Sequence, residues 1–143
     1  MVDIPSKIQI RSTIKPGSVY YFPEETFSSP DAHYFIVLNT KPLTDTILIL
    51  VWARSNISKV RKRRHMCPEE TLIKITPRQY SGFSKKSIID CNRVIEKTIE
   101  QLVEKLSEGK LRMKPEMDIA LVNRLKKGVM RSTLIEQRIK IML

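Results

Sequence analysis

The hydrophobic pattern of the chain changes period near residue 98, and this change restricts the possible folds more than any other feature. Before it, β-branched and aromatic residues form short runs separated by proline, glycine and polar turns, a pattern typical of strands. After it, Ile99, Leu102, Val103 and Leu106 repeat at the spacing of one helix face. A block of strands followed by a block of helices predicts an α+β domain with a mainly β core.

Five strands are predicted, each bounded by turn-forming residues, at 18–22, 33–39, 46–53, 71–75 and 87–95. Three helices should follow: one ended by Gly109, one opened by Pro115, and a last one capped by Ser132. We expect residues 1–98 to form a small β-barrel or curled sheet. Residues 99–143 should form a helical extension packed on it, because 143 residues suit one compact domain.

The net charge of +11 is concentrated in two segments of the chain. Residues 58–68 hold five basic side chains and no acidic one, and residues 110–143 hold nine basic against three acidic, while the rest is balanced. Clustered cations attract polyanions by releasing counterions, although a single run is often only a solvated loop. The charge therefore favours a nucleic-acid partner without establishing an enzyme.

Several classes of protein do not fit the composition. No apolar run approaches the roughly 20 residues of a membrane span, and residues 1–15 contain no signal-peptide core. The two cysteines, Cys67 and Cys91, do not suit a disulfide-stapled scaffold, so we expect a cytoplasmic protein that does not bind membranes. His65 adds a possible ligand but no recognised zinc spacing, so no metal is expected. The four glycines form no phosphate-cradling loop, and no cofactor is expected.

Segments of the chain resemble those of the PemK/MazF-type growth-inhibitor toxins of toxin–antitoxin systems. In that family a "pGDv" opening leads to a loop arginine before a "PavVls" strand, a third strand ends in "piTs", and a later strand carries "cdq-r". The similar segments here, within about residues 15–106, are Lys15-Pro16-Gly17-Ser18-Val19, HYFIVLN, ILILVWARS and SIIDCNRV.

The resemblance implies an SH3-like β-barrel of about five antiparallel strands with C-terminal helices packed on it. It also implies a metal-independent endoribonuclease of single-stranded RNA that forms a homodimer and is inhibited by an antitoxin protein. The chain departs from the family pattern, however. His33 stands where the family places its loop arginine, and Arg54 with Ser55 where it places the threonine–serine pair. A retained activity must therefore use an altered set of groups.

Four residues at predicted strand ends carry suitable chemistry for RNA cleavage. The reaction needs a base for the ribose 2′-OH, an acid for the leaving oxygen and positive charge for the phosphorane. His33 can exchange the proton, Arg54 can clamp the phosphate, and Ser55 can donate a hydrogen bond to it. Asp90 can orient His33 or Arg93. We predict His33, Arg54, Ser55 and Asp90 as catalytic residues.

A second group of residues is predicted to bind the nucleic acid. Phe27 lies on a polar loop, where it can stack on an unpaired base. Asn92 and Arg93 can contact a base edge or a phosphate. The basic run adds Lys59, Arg61, Lys62, Arg63 and Arg64.

The sequence also leaves two other functions open. One is a nucleic-acid-binding module of the same fold without catalysis, in which His33 is only a rim residue and Arg54 pairs with Asp90. The other is a protein-interaction module that uses the helical tail. Convergence of His33, Arg54 and Asp90 on one cleft would favour cleavage, whereas an exposed apolar stripe over 119–135 would favour protein interaction.

Overall fold

The apolar run after Thr46 forms the central strand of an antiparallel sheet in the computed structural model, which describes residues 4–143. Within these residues the sheet has seven strands: β1 (Val19–Pro23), β2 (Ala32–Val37), β3 (Leu48–Arg54), β4 (Leu72–Ile75), β5 (Ser87–Asp90), β6 (Ile95–Lys97) and β7 (Arg112–Lys114). Their order across the sheet is β4-β5-β3-β2-β1-β7, and β6 also pairs with β3. The strand β3 thus has three neighbours.

Five α-helices accompany the sheet in the described part of the chain: α1 (Ser6–Arg11), α2 (Ile57–Arg63), α3 (Ile99–Ser107), α4 (Ile119–Arg131) and α5 (Gln137–Lys140). The helix α3 begins with a reciprocal capping box between Thr98 and Gln101, and the Asp118 side chain caps α4. None of the helices within residues 4–143 is long and apolar enough to cross a membrane. The predicted α+β class is confirmed.

Both faces of the sheet are covered, which explains why β2 is apolar over residues 35–37 and β3 over residues 48–53. On one face, the aligned residues Val19, Ile36 and Val51 belong to a buried cluster with the apolar stripe of α4. On the other, Tyr20 and Phe35 belong to a second cluster that includes residues of α1 and α3. Because neighbouring residues of a strand point to opposite faces, each strand supplies both clusters.

The sheet differs from the predicted five-stranded barrel in strand number and in closure. The end strands β4 and β7 are not paired with each other within the described residues, so the sheet stays open. The additional strand β7, from the tail, pairs with β1 and was not predicted, because its three residues are mostly exposed and carry no apolar pattern.

The predicted strand at 87–95 is in fact two strands separated by a bulge. Along β3 the pairing advances three residues, from Ala53 to Leu50, while the partner chain advances six, from Ile89 to Ile95. The extra residues, within 91–94, leave the ladder and carry the exposed side chain of Arg93 outward. This bulge brings a charged group to the face of the sheet that otherwise holds aromatic residues.

The helical tail also differs in detail from its prediction. Pro115 precedes α4, which begins only at Ile119. Ser132 ends α4 and does not cap α5, which begins at Gln137. The apolar stripe of α4 is largely buried against the sheet, although Ile119 is 57% exposed. Most of this stripe is therefore part of the core.

Gly17, just before β1, contacts the C-terminal tail so closely that a side chain at this position does not fit. It has a φ of +95°, its carbonyl accepts a 2.8 Å hydrogen bond from the amide of Met117, and a Cβ built there would lie 2.9 Å from Val122. Gly109 also has a positive φ, +73°, but a Cβ there would meet no atom within 4 Å. A side chain at Gly109 would therefore cause backbone strain alone, whereas a side chain at Gly17 would cause both backbone strain and steric overlap.

We predict that Gly17→Ala lowers the free energy of unfolding by about 2–4 kcal/mol, because it combines left-handed backbone strain with overpacking. Gly109→Ala, the matched control, should lose only about 1–2 kcal/mol from the strain alone. Urea unfolding of both variants measures the difference. Equal losses would show that the tail does not pack closely against Gly17.

Candidate nucleic-acid site

A cleft opens where β2 and β3 separate. The two strands pair from Val37–Leu50 to Phe35–Trp52, and there the ladder between them ends. Continued by two residues, the same register would place His33 opposite Arg54, but the two strands no longer pair there. The end of β3 keeps a partner only on its opposite edge, where Arg54 pairs with Ile88 of β5. The resulting open cavity has a volume of about 760 Å³.

The cavity gathers seven of the twelve predicted site residues. His33, Arg54, Ser55, Phe27, Lys59, Arg63 and Arg93 line it. The predicted residues that do not line it are Arg61, Lys62, Arg64, Asp90 and Asn92. The structure thus brings together residues from the first loop, two strand ends, a helix and the bulge.

His33, at the start of β2, is half-buried in the cavity wall. Its ring meets Phe27 edge-on, with the ring centroids 5.3 Å apart, and its buried Nδ1 has no hydrogen-bond partner among the described residues. Burial, together with the nearby charge of Arg54, lowers the pKa of His33, although Asp31 opposes this shift. The ring is therefore neutral near pH 7 and can accept a proton.

Arg54 lies across from His33 at the end of β3. Its guanidinium lies 5.0 Å from the centroid of the Trp52 ring and forms no hydrogen bond or ion pair with any described residue. Burial lowers the pKa of Arg54, as do the surrounding guanidinium groups, chiefly that of Arg63, whereas Asp90 opposes the effect. An arginine remains charged under such conditions, so an anion in the cavity would relieve this crowding.

Arg93 adds a second guanidinium to the same aromatic floor. Its central carbon lies 5.3 Å from the centroid of the Trp52 ring and 5.8 Å from that of Phe27. These are cation–π distances, which hold the planar group in place while its N–H donors stay free. Among the residues lining the cavity, five are basic and Asp31 is the acidic one, so the cavity as a whole favours anions.

The basic run forms the helix α2 and does not form the predicted loop. Asn56 caps the helix by accepting a hydrogen bond from the amide of Lys59, and Val60 is its buried residue. Lys59 and Arg63, one turn apart, therefore share the face that lines the cavity. Arg61 points elsewhere, toward Glu69 at 3.4 Å, so this ion pair lies outside the cavity.

Asp90 and Asn92 are placed differently from their predicted roles. Both are only 4% exposed, and both take part in a buried hydrogen-bond network with Thr71. Asp90 pairs with Arg64 and has no hydrogen bond to His33 or Arg93. The predicted catalytic role of Asp90 and the RNA contact of Asn92 therefore have no geometric support.

Aromatic residues that the prediction did not assign to the site line the opposite side of the cavity. The rings of Tyr21 and Tyr34 lie 4.6 Å apart and are both half-buried, and Phe83 packs behind Tyr34. Because strand residues next to one another point to opposite faces, Tyr34 lies on the far side of β2 from His33. The alternation of side chains along the strand predicts that Tyr34 and His33 face opposite sides of β2. It does not predict that the two strands separate, so that residues from both sides of β2 line one cavity.

The site can therefore hold a chain of anionic groups and flat apolar groups together. Free guanidinium groups suit phosphate oxygens, half-exposed aromatic rings suit nucleobases, and a neutral imidazole between them suits proton transfer. Comparison of the sequence with protein-family models and with curated proteins finds no match.

We predict that Arg54→Gln raises the pKa of His33 toward the ordinary value of 6.5, because removing a nearby positive charge makes the imidazolium less unfavourable. Burial should still keep the pKa of His33 below that value. The measurement is a pH titration of the imidazole proton resonance by NMR.

The chain contains two histidines, so a His65→Gln background isolates the signal of His33. Arg124→Gln, which removes an exposed arginine of α4, is the matched control and should leave the titration unchanged. A downward shift in Arg54→Gln would contradict the described electrostatics.

Proposed function

We propose that this protein is a metal-independent endoribonuclease that cleaves single-stranded RNA. The observation that carries the proposal is the meeting, in one cavity, of a neutral His33 with the guanidinium groups of Arg54, Arg63 and Arg93, none of which has an ion-pair partner among the described residues. This arrangement supplies the proton acceptor and the positive charge that the reaction requires.

In the proposed reaction the ribose 2′-oxygen attacks the adjacent phosphorus while its proton passes to His33. The bond from phosphorus to the 5′-oxygen breaks, leaving a 2′,3′-cyclic phosphate and a 5′-hydroxyl. The leaving oxygen takes its proton from water at the open side of the cavity, and His33 later releases its own to solvent. Arg54 and Ser55, which flank the cleft, donate hydrogen bonds to the phosphate as its negative charge increases.

Unpaired bases fit the aromatic surfaces of the cavity better than a duplex does. Phe27 on one side of β2, and Tyr21 with Tyr34 on the other, expose part of each ring to the cavity. Paired bases inside a helix do not offer their faces to such rings, whereas bases of a single strand do. The substrate is therefore assigned as single-stranded RNA.

The resemblance to the PemK/MazF-type toxins supports the same proposal. The positions that correspond to the family's loop arginine and threonine–serine pair are His33 and Arg54-Ser55, and its "cdq-r" stretch corresponds to Cys91-Asn92-Arg93. His33, Arg54, Ser55 and Arg93 line one cavity although they are distant in sequence, whereas Cys91 and Asn92 are buried outside it. On this proposal the open sheet is a divergent SH3-like barrel. The protein would act in the cytoplasm as a homodimer and be inhibited by an antitoxin protein.

A second candidate function, binding of single-stranded RNA without cleavage, is favoured by one specific observation. Within residues 4–143 no carboxylate side chain is hydrogen-bonded to His33, and Asp90 lies in the interior network and forms its ion pair with Arg64. A histidine without an orienting partner is a weaker catalyst than one with it. The protein-interaction function loses its expected support, because most of the apolar stripe of α4 is buried.

We predict that the purified protein cleaves a single-stranded RNA oligonucleotide in the presence of EDTA and that His33→Ala lowers the rate about 10²–10⁴-fold, the range for loss of a proton-transfer group. Gel analysis of end-labelled RNA gives the rate, and a 5′-hydroxyl product end identifies the chemistry. An oligonucleotide with a 2′-deoxyribose at the cleavage position should remain intact.

The matched control is His65→Ala, because His65 is exposed and lies outside the cavity. The same variants, expressed inducibly, should differ in growth arrest and in new RNA 5′ ends. Cleavage that survives both His33→Ala and Arg54→Ala would overturn the catalytic assignment. Binding without cleavage in the unaltered protein would select the second candidate.

We further predict that Arg63→Gln and Arg61→Gln differ, although both arginines belong to α2. Arg63 lines the cavity, so its loss should weaken RNA binding about tenfold and reduce the slope of log K against log salt by about 0.7. Arg61 pairs with Glu69 outside the cavity, so its loss should leave that slope almost unchanged. Fluorescence anisotropy with labelled RNA at several salt concentrations makes the comparison. Equal slopes would place the RNA elsewhere.

A further inference from the structure

The helix that supplies Lys59 and Arg63 to the cavity is too short to hold itself in place. It has seven residues and one buried side chain, Val60, whereas isolated helices shorter than about 12–15 residues are marginal in water. Its position therefore depends on contacts beyond its own backbone. The Asn56 side chain, which accepts from the amide of Lys59 at 3.1 Å, caps the first turn and stabilises the helix itself. The side-chain link from the helix end to the sheet is Arg64.

Arg64 joins the helix end to the sheet through Asp90. Its Nε donates a 2.8 Å hydrogen bond to Oδ2 of Asp90, a carboxylate that is 4% exposed at the end of β5. The other oxygen, Oδ1, accepts from both the backbone amide and the side-chain Nδ2 of Asn92, each at 3.0 Å. Because Asn92 occupies one oxygen, the other is directed toward Arg64.

Asn92 continues the connection to the C-terminal tail. A carboxylate only accepts, so the amide nitrogen of Asn92 must face Asp90, and its oxygen is left to accept a 2.7 Å hydrogen bond from the hydroxyl of Ser132. Ser132 ends α4, and its backbone oxygen also accepts from Nζ of Lys140 in α5. Both tail helices are thus linked to this point.

We propose that these four residues, Ser132, Asn92, Asp90 and Arg64, form a tether through which the C-terminal tail fixes α2 and its two cations at the RNA-binding cavity. Three of the four are at most 4% exposed, so their hydrogen bonds are shielded from water and few alternative partners exist. In this role Asp90 and Arg64 are positioning residues. The effect on RNA rests on the proposed function, whereas the tether itself does not.

The test compares variants at the two ends of the tether. Ser132→Ala removes the donor in the tail, and Arg64→Ala removes the ion pair at α2, where the Arg64 side chain is 19% exposed. Ser18→Ala is the matched control, because Ser18 is also a buried serine whose hydroxyl is bonded within its own turn. Arg64→Lys retains a cation for Asp90, so the exchange rate of the α2 amides in this variant should lie close to that of the unaltered protein.

Amide hydrogen exchange of α2, followed by NMR or mass spectrometry, reports the tether without any substrate. Loss of one buried hydrogen bond should accelerate exchange at residues 60–64 roughly fivefold in both tether variants and not in Ser18→Ala. With a single-stranded RNA oligonucleotide, the same variants should raise KM roughly fivefold and leave kcat within about twofold. A merely structural weakening would lower kcat and the folded fraction together.

The results distinguish a failure of the tether from a failure of the proposed function. Unchanged exchange of α2 in Ser132→Ala, relative to Ser18→Ala, would overturn the tether whether or not RNA is cleaved. Faster exchange with an unchanged KM would overturn its role at the cavity. If the unaltered protein binds RNA without cleaving it, the dissociation constant replaces KM, and only the catalytic proposal fails.

Discussion

The backbone of β3 is the constraint on which the rest of this structure depends. The strand is apolar on both sides, so it is buried, and buried backbone groups must find hydrogen-bond partners. One edge of β3 pairs first with β6 and then with β5, while the other pairs with β2 only as far as Trp52. Where β2 departs, the remaining strand end faces an open cavity, which water or a ligand can reach. The site is thus a consequence of how this strand is paired.

The same pairing explains the electrostatics of the site. The bulge after β5 brings Arg93 over the floor on which Arg54 lies, and α2 adds Arg63 from the side. Like charges gathered on an apolar floor repel one another and are poorly solvated, as the lowered pKa of Arg54 reflects. Asp90 offsets part of this repulsion from the interior. An anion in the cavity would relieve the remaining imbalance.

Sequence patterns predicted the parts of the fold that depend on apolar periodicity and missed those that depend on polar contacts. The strands around Phe35 and Trp52 and the helices α3 and α4 follow their hydrophobic runs. The helix α2 has one buried residue and is held by the side chains of Asn56 and Arg64, so its pattern resembles that of a loop. Likewise, alternation cannot place Asp90, because all four residues of β5 are buried and the strand has no exposed face to contrast with a buried one.

The two basic segments of the chain therefore have different physical roles. In the first, Lys59 and Arg63 reach the cavity directly. In the second, part of the charge serves the fold: Arg138 binds Glu96 with both nitrogens of its fork, and Lys140 donates to the backbone of Ser132. A cation already paired with a carboxylate releases little further free energy on meeting a phosphate. The affinity of this protein for a polyanion should thus depend on the few unpaired cations at the cavity more than on its net charge of +11.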